Sequence, residues 1–352
     1  MNQQSNDTQA AMVTPGKPPA NGFVRAASKV YSTVGFSKGR NFVLWFVFAG
    51  ALMGFSLARL PYLDFDGVFC GGNPHAAPGE CFYFRKYARD RVGIVMHFAA
   101  ILPAGILVCF QFVPAIRHKF ILVHSMNGYV VILLSVVGTV GGLMIARHTF
   151  GGGMASQSAL GFLSIIFLGA LVMAYINIKL LQIDQHRAWM LRAWFYASAI
   201  ITTRAIQIPA AVIISLQGGH FAARPCDQIA DTLGGGANAT LRSYPECAAF
   251  FSGEDPHRFA AVRANIAGGG NAIEGGVALG MAFGAAMWLA VAMHCIGIEV
   301  YLRLTPAEHE RLRNVSYERQ LAAGMRDPGR AGLTADQLGD SERWVPADRR
   351  GY

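Results

Sequence analysis

Apolar residues gather into six blocks along the chain, at roughly 41–62, 92–116, 120–146, 157–181, 189–216 and 272–302, with shorter polar stretches between them. Each block is long enough, as helix, to reach across a bilayer hydrocarbon core of about 30 Å. No other stretch is both that long and free of charge. The pattern predicts an all-α integral membrane protein, a bundle of about six transmembrane helices. It divides the chain into a polar arm (1–40), a transmembrane domain (41–302) and a tail (303–352). The arm is expected to be flexible. The tail is expected to be helical from Pro306 to Ala323 and then, being rich in Gly, Pro and Asp, disordered. No cleavable signal is read before the first block.

Composition sharpens this picture. Hydrophobic residues make up 53% of the chain and charged ones 14%, too few charges to cover a soluble surface of this length. The basic residues then set orientation. Lys17, Arg25, Lys29, Lys38 and Arg40 in the arm face a single acid, Asp7. With alternating helices they share a side with Arg117-His118-Lys119, with Lys179, Arg187 and Arg192, and with the Arg-rich tail. That side, carrying both termini, is expected to be cytoplasmic, in a plasma or secretory-pathway membrane. The loops 63–91, 147–156 and 217–271 are expected to be exoplasmic. The first of them carries Arg85, Lys86, Arg89 and Arg91, offset by Asp64, Asp66, Glu80 and Asp90. Cysteines give an independent vote: Cys70 and Cys81 share one outer loop, Cys226 and Cys247 another. Close pairs in an oxidising compartment predict two disulfides. Cys109 and Cys295 lie inside apolar blocks and read as packing residues. Asn238-Ala239-Thr240 fits the N-glycosylation acceptor pattern on the same outer side. The net charge of +9 reflects topology and attraction to a membrane surface. Nucleic-acid binding is excluded, since the basic residues form no single face.

Polar residues inside a span face the bundle interior. His186 and Arg204 lie 18 residues apart, five helical turns, so they share a face about 27 Å long. Arg204 is the costliest residue in any span and needs a partner; Glu274, at comparable depth on the last helix, is the expected one. Gly276, Gly280 and Gly284 repeat every four residues, as do Gly138 and Gly142, so that helices approach closely there. His124, His186 and His294 fall in the cytoplasmic half, His97 and His148 in the outer half. Opposed histidines at matched depth are how a bundle ligates haem iron, and they are also common as hydrogen-bonded structural groups.

Residues 92–216 carry the sharper signature: His124 with Gly128 and Tyr129, then Gly138, Gly141 and Gly142, then His186-Arg187-Ala188-Trp189-Met190-Leu191-Arg192. This resembles an uncharacterised family of predicted multi-pass membrane proteins shared by bacteria and fungi, marked by a His-Arg-x-Trp-Met-x-Arg run. The paired outer cysteines look like the fungal branch. The resemblance implies a fold type and no reaction. A weaker resemblance is to the di-haem b-type transmembrane cytochromes, through His124-Ser125-Met126-Asn127-Gly128 and through His97 followed by Leu102-Pro103-Ala104-Gly105. Those cytochromes take one ligand from each of four consecutive helices, whereas the block at 157–181 has no histidine. The resemblance therefore implies at most one haem b, held by His124 and His186, with His294 able to replace either and Arg187 or Arg192 meeting the propionates.

Three function classes remain open on the sequence. One is a haem protein moving electrons from a donor. A second is a transporter or binding protein that recognises a small anionic or amphipathic ligand through Arg204 and Glu274. A third is a membrane enzyme acting on a lipid-like substrate with His97 or Glu274 as acid or base.

Overall fold

The computed structural model describes residues 21–72, 74–234 and 236–346. The first half of the arm, with Asp7 and Lys17, lies outside the described residues. In chain order the helices are α1 (Gly22–Thr33), α2 (Gly39–Leu57), α3 (Glu80–Lys86), α4 (Ala88–Gln111), α5 (Pro114–Lys119), α6 (Ile121–Ile145), α7 (Met154–Lys179), α8 (Ile183–Ala197) and α9 (Ala199–Gln217). A hairpin of β1 (Phe221–Pro225) and β2 (Phe259–Arg263) encloses α10 (Cys226–Leu233), α11 (Gly236–Ser243) and α12 (Ala248–Phe251). Then come α13 (Ala272–Arg303), α14 (Pro306–Ala322) and α15 (Ala335–Leu338). Six of the described segments are long and apolar enough to cross a membrane: α2, α4, α6, α7, the α8–α9 rod and α13.

Hydropathy explains why these six form and packing explains how they stand. Outward positions such as Phe46, Leu133, Ile165 and Ile296 are large, apolar and exposed, which suits a lipid environment. The inward positions are small. Ala104, Val131, Ala174 and Ala193 meet Phe167 and Trp194 in one buried cluster joining α4, α6, α7 and α8. The closest approach is between α4 and α6. A Cβ at Gly141 would stand 2.6 Å from the Gly93 carbonyl oxygen, so only glycine fits. On α13 the glycine stripe packs differently from expectation. Gly284 meets the start of α7 at Ala155 and Ser156, while Gly280 meets the loop at Phe150.

The fifth block is longer than its hydropathy suggested. It starts at Ile183, not 189, and is interrupted at Ser198, where Ile201 N donates to the Ser198 carbonyl at 3.0 Å. Its 35 residues span about 52 Å at 1.5 Å per residue, so the first turns project beyond a 30 Å core. His186 sits in that projecting part.

Disulfides close at both outer loops, Cys70–Cys81 and Cys226–Cys247. The loops also clasp each other: Gln228 Nε2 donates to the Gly79 carbonyl at 3.0 Å, and Lys86 pairs with Asp227 at 2.7 Å. Asn238 is exposed on α11, while Thr240 of the same acceptor triplet is buried.

The tail departs from expectation, because residues 325–346 are packed. Gln182, fully buried, accepts hydrogen bonds from Gln320 Nε2 (2.9 Å) and Gly332 N (3.1 Å). Asn177 accepts from Leu333 N, and Ser316 Oγ donates to Asp184. Arg313 holds Asp336 at 2.5 Å. Burial alone would raise the Asp336 carboxyl, yet Arg313 and the Trp344 N–H hold it well below the usual carboxylate range. Gly329, Gly332 and Asp336 in this segment therefore serve a polar tertiary contact that hydropathy cannot register. What they brace is the α7–α8 turn, where Leu181 adopts a left-handed φ of 52° that costs a non-glycine residue about 1 kcal/mol.

Candidate functional site

His124 and His186 both stand at the tail end of the bundle, near the starts of α6 and α8. Gln111 Nε2 donates to the His124 carbonyl at 2.9 Å, and Asn127 Nδ2 to that of Leu107 at 3.1 Å, so the start of α6 is tied to the end of α4. His124 Nδ1 is buried and has no hydrogen-bond partner among the described residues. His186 rises from the braced α7–α8 turn and its Nδ1 meets the Ala174 carbonyl at 2.9 Å. A carbonyl only accepts, so the proton is on Nδ1 and Nε2 keeps its lone pair. His186 lies close enough to His124 for a charge on one to act on the other, and Arg117 of α5 acts on both. Arg187, next in sequence, lies over the Tyr301 ring and within the field of Arg117.

Two other residues expected here are engaged elsewhere. His294 uses both ring nitrogens, Nδ1 with the Phe195 carbonyl at 2.5 Å and Nε2 with Thr202 Oγ1 at 2.8 Å. It is a structural histidine joining α13 to the α8–α9 rod, with no nitrogen left for a metal. Arg192 makes a bidentate pair with Glu299 (2.6 and 3.0 Å) and stacks on Trp189, so it is already neutralised. His97 is likewise committed, Nδ1 to the Gly138 carbonyl at 2.7 Å, where it secures the α4–α6 contact.

At the disulfide-bearing end, the expected Arg204–Glu274 pair does not form. Glu274 sits in the first turn of α13, whose cap is Asn271. Arg204 instead stacks on the Phe150 ring at 4.0 Å and donates to Gln207 at 2.8 Å; the carboxylate that feels its charge is Glu80. Glu80 is buried and accepts from Phe150 N at 2.5 Å and Ala77 N at 3.2 Å. Burial pushes its carboxyl up to about 7 against the pull of those two N–H groups and of Arg204. Together these groups hold Phe150 in a left-handed conformation (φ 47°), its ring stacked on Phe283 at 4.3 Å. Depth matching failed because the loop carrying Glu80 folds back into the bundle mouth.

Asp90 and His148 form the other buried ionisable pair of this end. Asp90 has no exposed surface, and its carboxylate receives His148 Nδ1. Tyr83 stacks on the His148 ring at 4.2 Å, and Tyr87 lies parallel to it at 5.3 Å. The Tyr83 hydroxyl donates to Gln228 Oε1 at 3.2 Å, and burial keeps that phenol above its usual range. Sequence reading counted Asp90 and Glu80 only as loop acids balancing loop bases. The signal it passed over was the i, i+4 spacing of Tyr83 and Tyr87 leading into a helix.

Residues 94–223, which hold His97, His124, His148, His186 and Arg204, match a family model described as "Predicted membrane protein (DUF2306)". One curated relative, "Ava biosynthesis cluster protein G" of Aspergillus versicolor, is 24% identical over 337 residues, covering 80% of this chain and 94% of the relative. No solved structure matches the chain.

Proposed function

We propose that this multi-pass membrane protein binds one haem b between His124 and His186 and passes electrons through it. The observation that carries the reading is a buried His124 nitrogen without a partner, beside a second histidine whose Nδ1 is anchored to a carbonyl and whose Nε2 is free. An orphaned buried polar atom costs about 1–3 kcal/mol, which a ligand at that atom would recover. A half-turn about χ2 exchanges the two His124 nitrogens, so either can be presented. Among the described residues no three His, Cys, Asp or Glu side chains gather to hold a bare metal ion. A macrocycle with four nitrogens of its own needs only two axial ligands.

When bound, the haem supplies a reversible one-electron couple. The protein's part is to fix two imidazoles and balance charge. Ala174 orients His186 and fixes its tautomer. Gln111 and Asn127 set the start of α6 and with it His124. Arg117 and Arg187 are the cations that suit propionates. The basic bias makes this the cytoplasmic end, with the disulfide loops exoplasmic. The relative's name places that protein in a biosynthesis cluster; a redox step in small-molecule biosynthesis is the setting we assign here. Titrating haemin into purified protein should saturate at one haem per chain in the wild type and in His294→Ala. It should fail in His124→Ala and His186→Ala; unchanged binding in those two overturns the assignment.

A further inference from the structure

The start of α4, at the disulfide-bearing end, borders an open, shallow cavity of about 430 Å³ lined by Lys86, Tyr87, Ala88, Arg89 and His148. Its chemistry is set by the His148–Asp90 pair. The Asp90 carboxylate only accepts, so a neutral His148 carries its proton on Nδ1 and presents a lone pair on Nε2. Nε2 makes no hydrogen bond among the described residues, and the ring lines the cavity. The ring is held in place: Tyr83 covers it, and Tyr83 is in turn held by Gln228.

Two basic side chains stand beside this acceptor, each already paired with one carboxylate and each with donors left over. Arg89 donates to Asp90 through Nε at 3.0 Å, yet 60% of its side chain remains exposed. Lys86 Nζ donates to Asp227 and lies over the Phe82 ring at 4.8 Å and the Tyr87 ring at 5.8 Å, with N–H donors to spare. Ala88 and Arg89 also begin a 24-residue helix whose N-cap, Tyr87, supplies no capping oxygen, which adds to the positive field. Below the cavity, Val92 and Val95 expose apolar surface along α4 toward the membrane-spanning part.

An anion site next to a hydrogen-bond acceptor fits a ligand that has an acid group and a neighbouring hydroxyl. We propose that this cavity binds a hydroxy acid, its carboxylate at Arg89 and Lys86 and its hydroxyl donating to His148 Nε2. Any alkyl chain follows Val92 and Val95 into the bilayer. The site is independent of the haem reading: a colourless protein leaves it intact, and its loss leaves a Soret band in place.

The test uses the full chain in nanodiscs of neutral lipid, with binding of 2-hydroxydecanoate, decanoate, 1,2-decanediol and lactate measured by calorimetry. A site that hydrogen-bonds a hydroxyl discriminates strongly against the analogue lacking it. We expect 2-hydroxydecanoate to bind at least about ten-fold tighter than decanoate and than the diol. His148→Asn should reduce the advantage over decanoate to under about two-fold, and Arg89→Gln should weaken both acids about ten-fold while leaving the diol unchanged. Lactate matching 2-hydroxydecanoate supports the site and assigns it a soluble acid; much weaker lactate binding assigns it an amphiphile. A diol that binds as tightly as the hydroxy acid, or a hydroxyl advantage that survives His148→Asn, overturns the proposal. Arg89 is exposed, so Arg89→Gln decides the anion half even where the His148 variant does not fold.

Discussion

Glu80→Gln isolates the most costly ionisation at the bundle mouth. The Glu80 carboxyl stands at about 7 in the fold against an ordinary 4.5. At 1.36 kcal/mol per pH unit, that gap corresponds to about 3 kcal/mol. The sign follows from linkage. The folded value lies above the unfolded one, so the fold favours the protonated acid, and stability is greatest below about pH 4.5. It falls as pH rises toward 7 and is flat beyond. Glutamine keeps one oxygen for the Phe150 or Ala77 N–H and has no charge to bury, at the loss of about 1 kcal/mol for the other bond. The variant should therefore be less stable than wild type at pH 4 and more stable by about 2 kcal/mol at pH 8, the two curves crossing near pH 5 to 6. Thermal unfolding of both proteins in one detergent, from pH 4 to 8, measures the difference curve, in which titrations common to both cancel. Parallel curves for the two proteins across that window would refute a buried, upshifted Glu80.

Three further outcomes follow from the contacts. Arg204→Leu should lower folded yield, and adding Glu80→Gln should restore part of it while adding Glu274→Gln does not; rescue by Glu274→Gln would reinstate the pair expected from depth. Non-reducing peptide mapping should recover Cys70 with Cys81 and Cys226 with Cys247, and Cys226→Ser should destabilise by about 3 kcal/mol because the bridge sits in a buried cluster. A crosslink between the two loops would contradict this. Asp336→Ala leaves buried Arg313 without its carboxylate, so limited proteolysis should cut the 325–346 segment about ten-fold faster; an unchanged rate would mean the tail is held by other contacts.

Helix number and disulfide pairing were legible in the sequence because both have local signatures: unbroken apolar runs, and cysteines 11 and 21 residues apart. The partners of polar residues were not. Gln320 donates to Gln182, and the Leu333 N–H to Asn177, each across more than a hundred residues, and nothing periodic marks such contacts. Arg204 rests on Phe150 and Gln207 with Glu80, not Glu274, as the carboxylate that feels its charge, since depth along a helix says nothing about a loop that folds inward. His294 looked as available as His186 until the Phe195 carbonyl and the Thr202 hydroxyl took its two nitrogens. That His124 and His186 stand near the starts of their helices at one end of the bundle was legible, because a histidine opening one helix and a His-Arg-x-Trp-Met run opening another share one end of an alternating bundle.

The most direct measurement is the absorption spectrum of the full chain, purified in mild detergent from haem-supplemented cells. Two imidazoles on one haem b predict a sharp Soret band and, on reduction with dithionite, a narrow α-band, with one haem per chain by pyridine haemochrome. A folded, monodisperse and colourless preparation that also fails to take up added haemin would contradict the account.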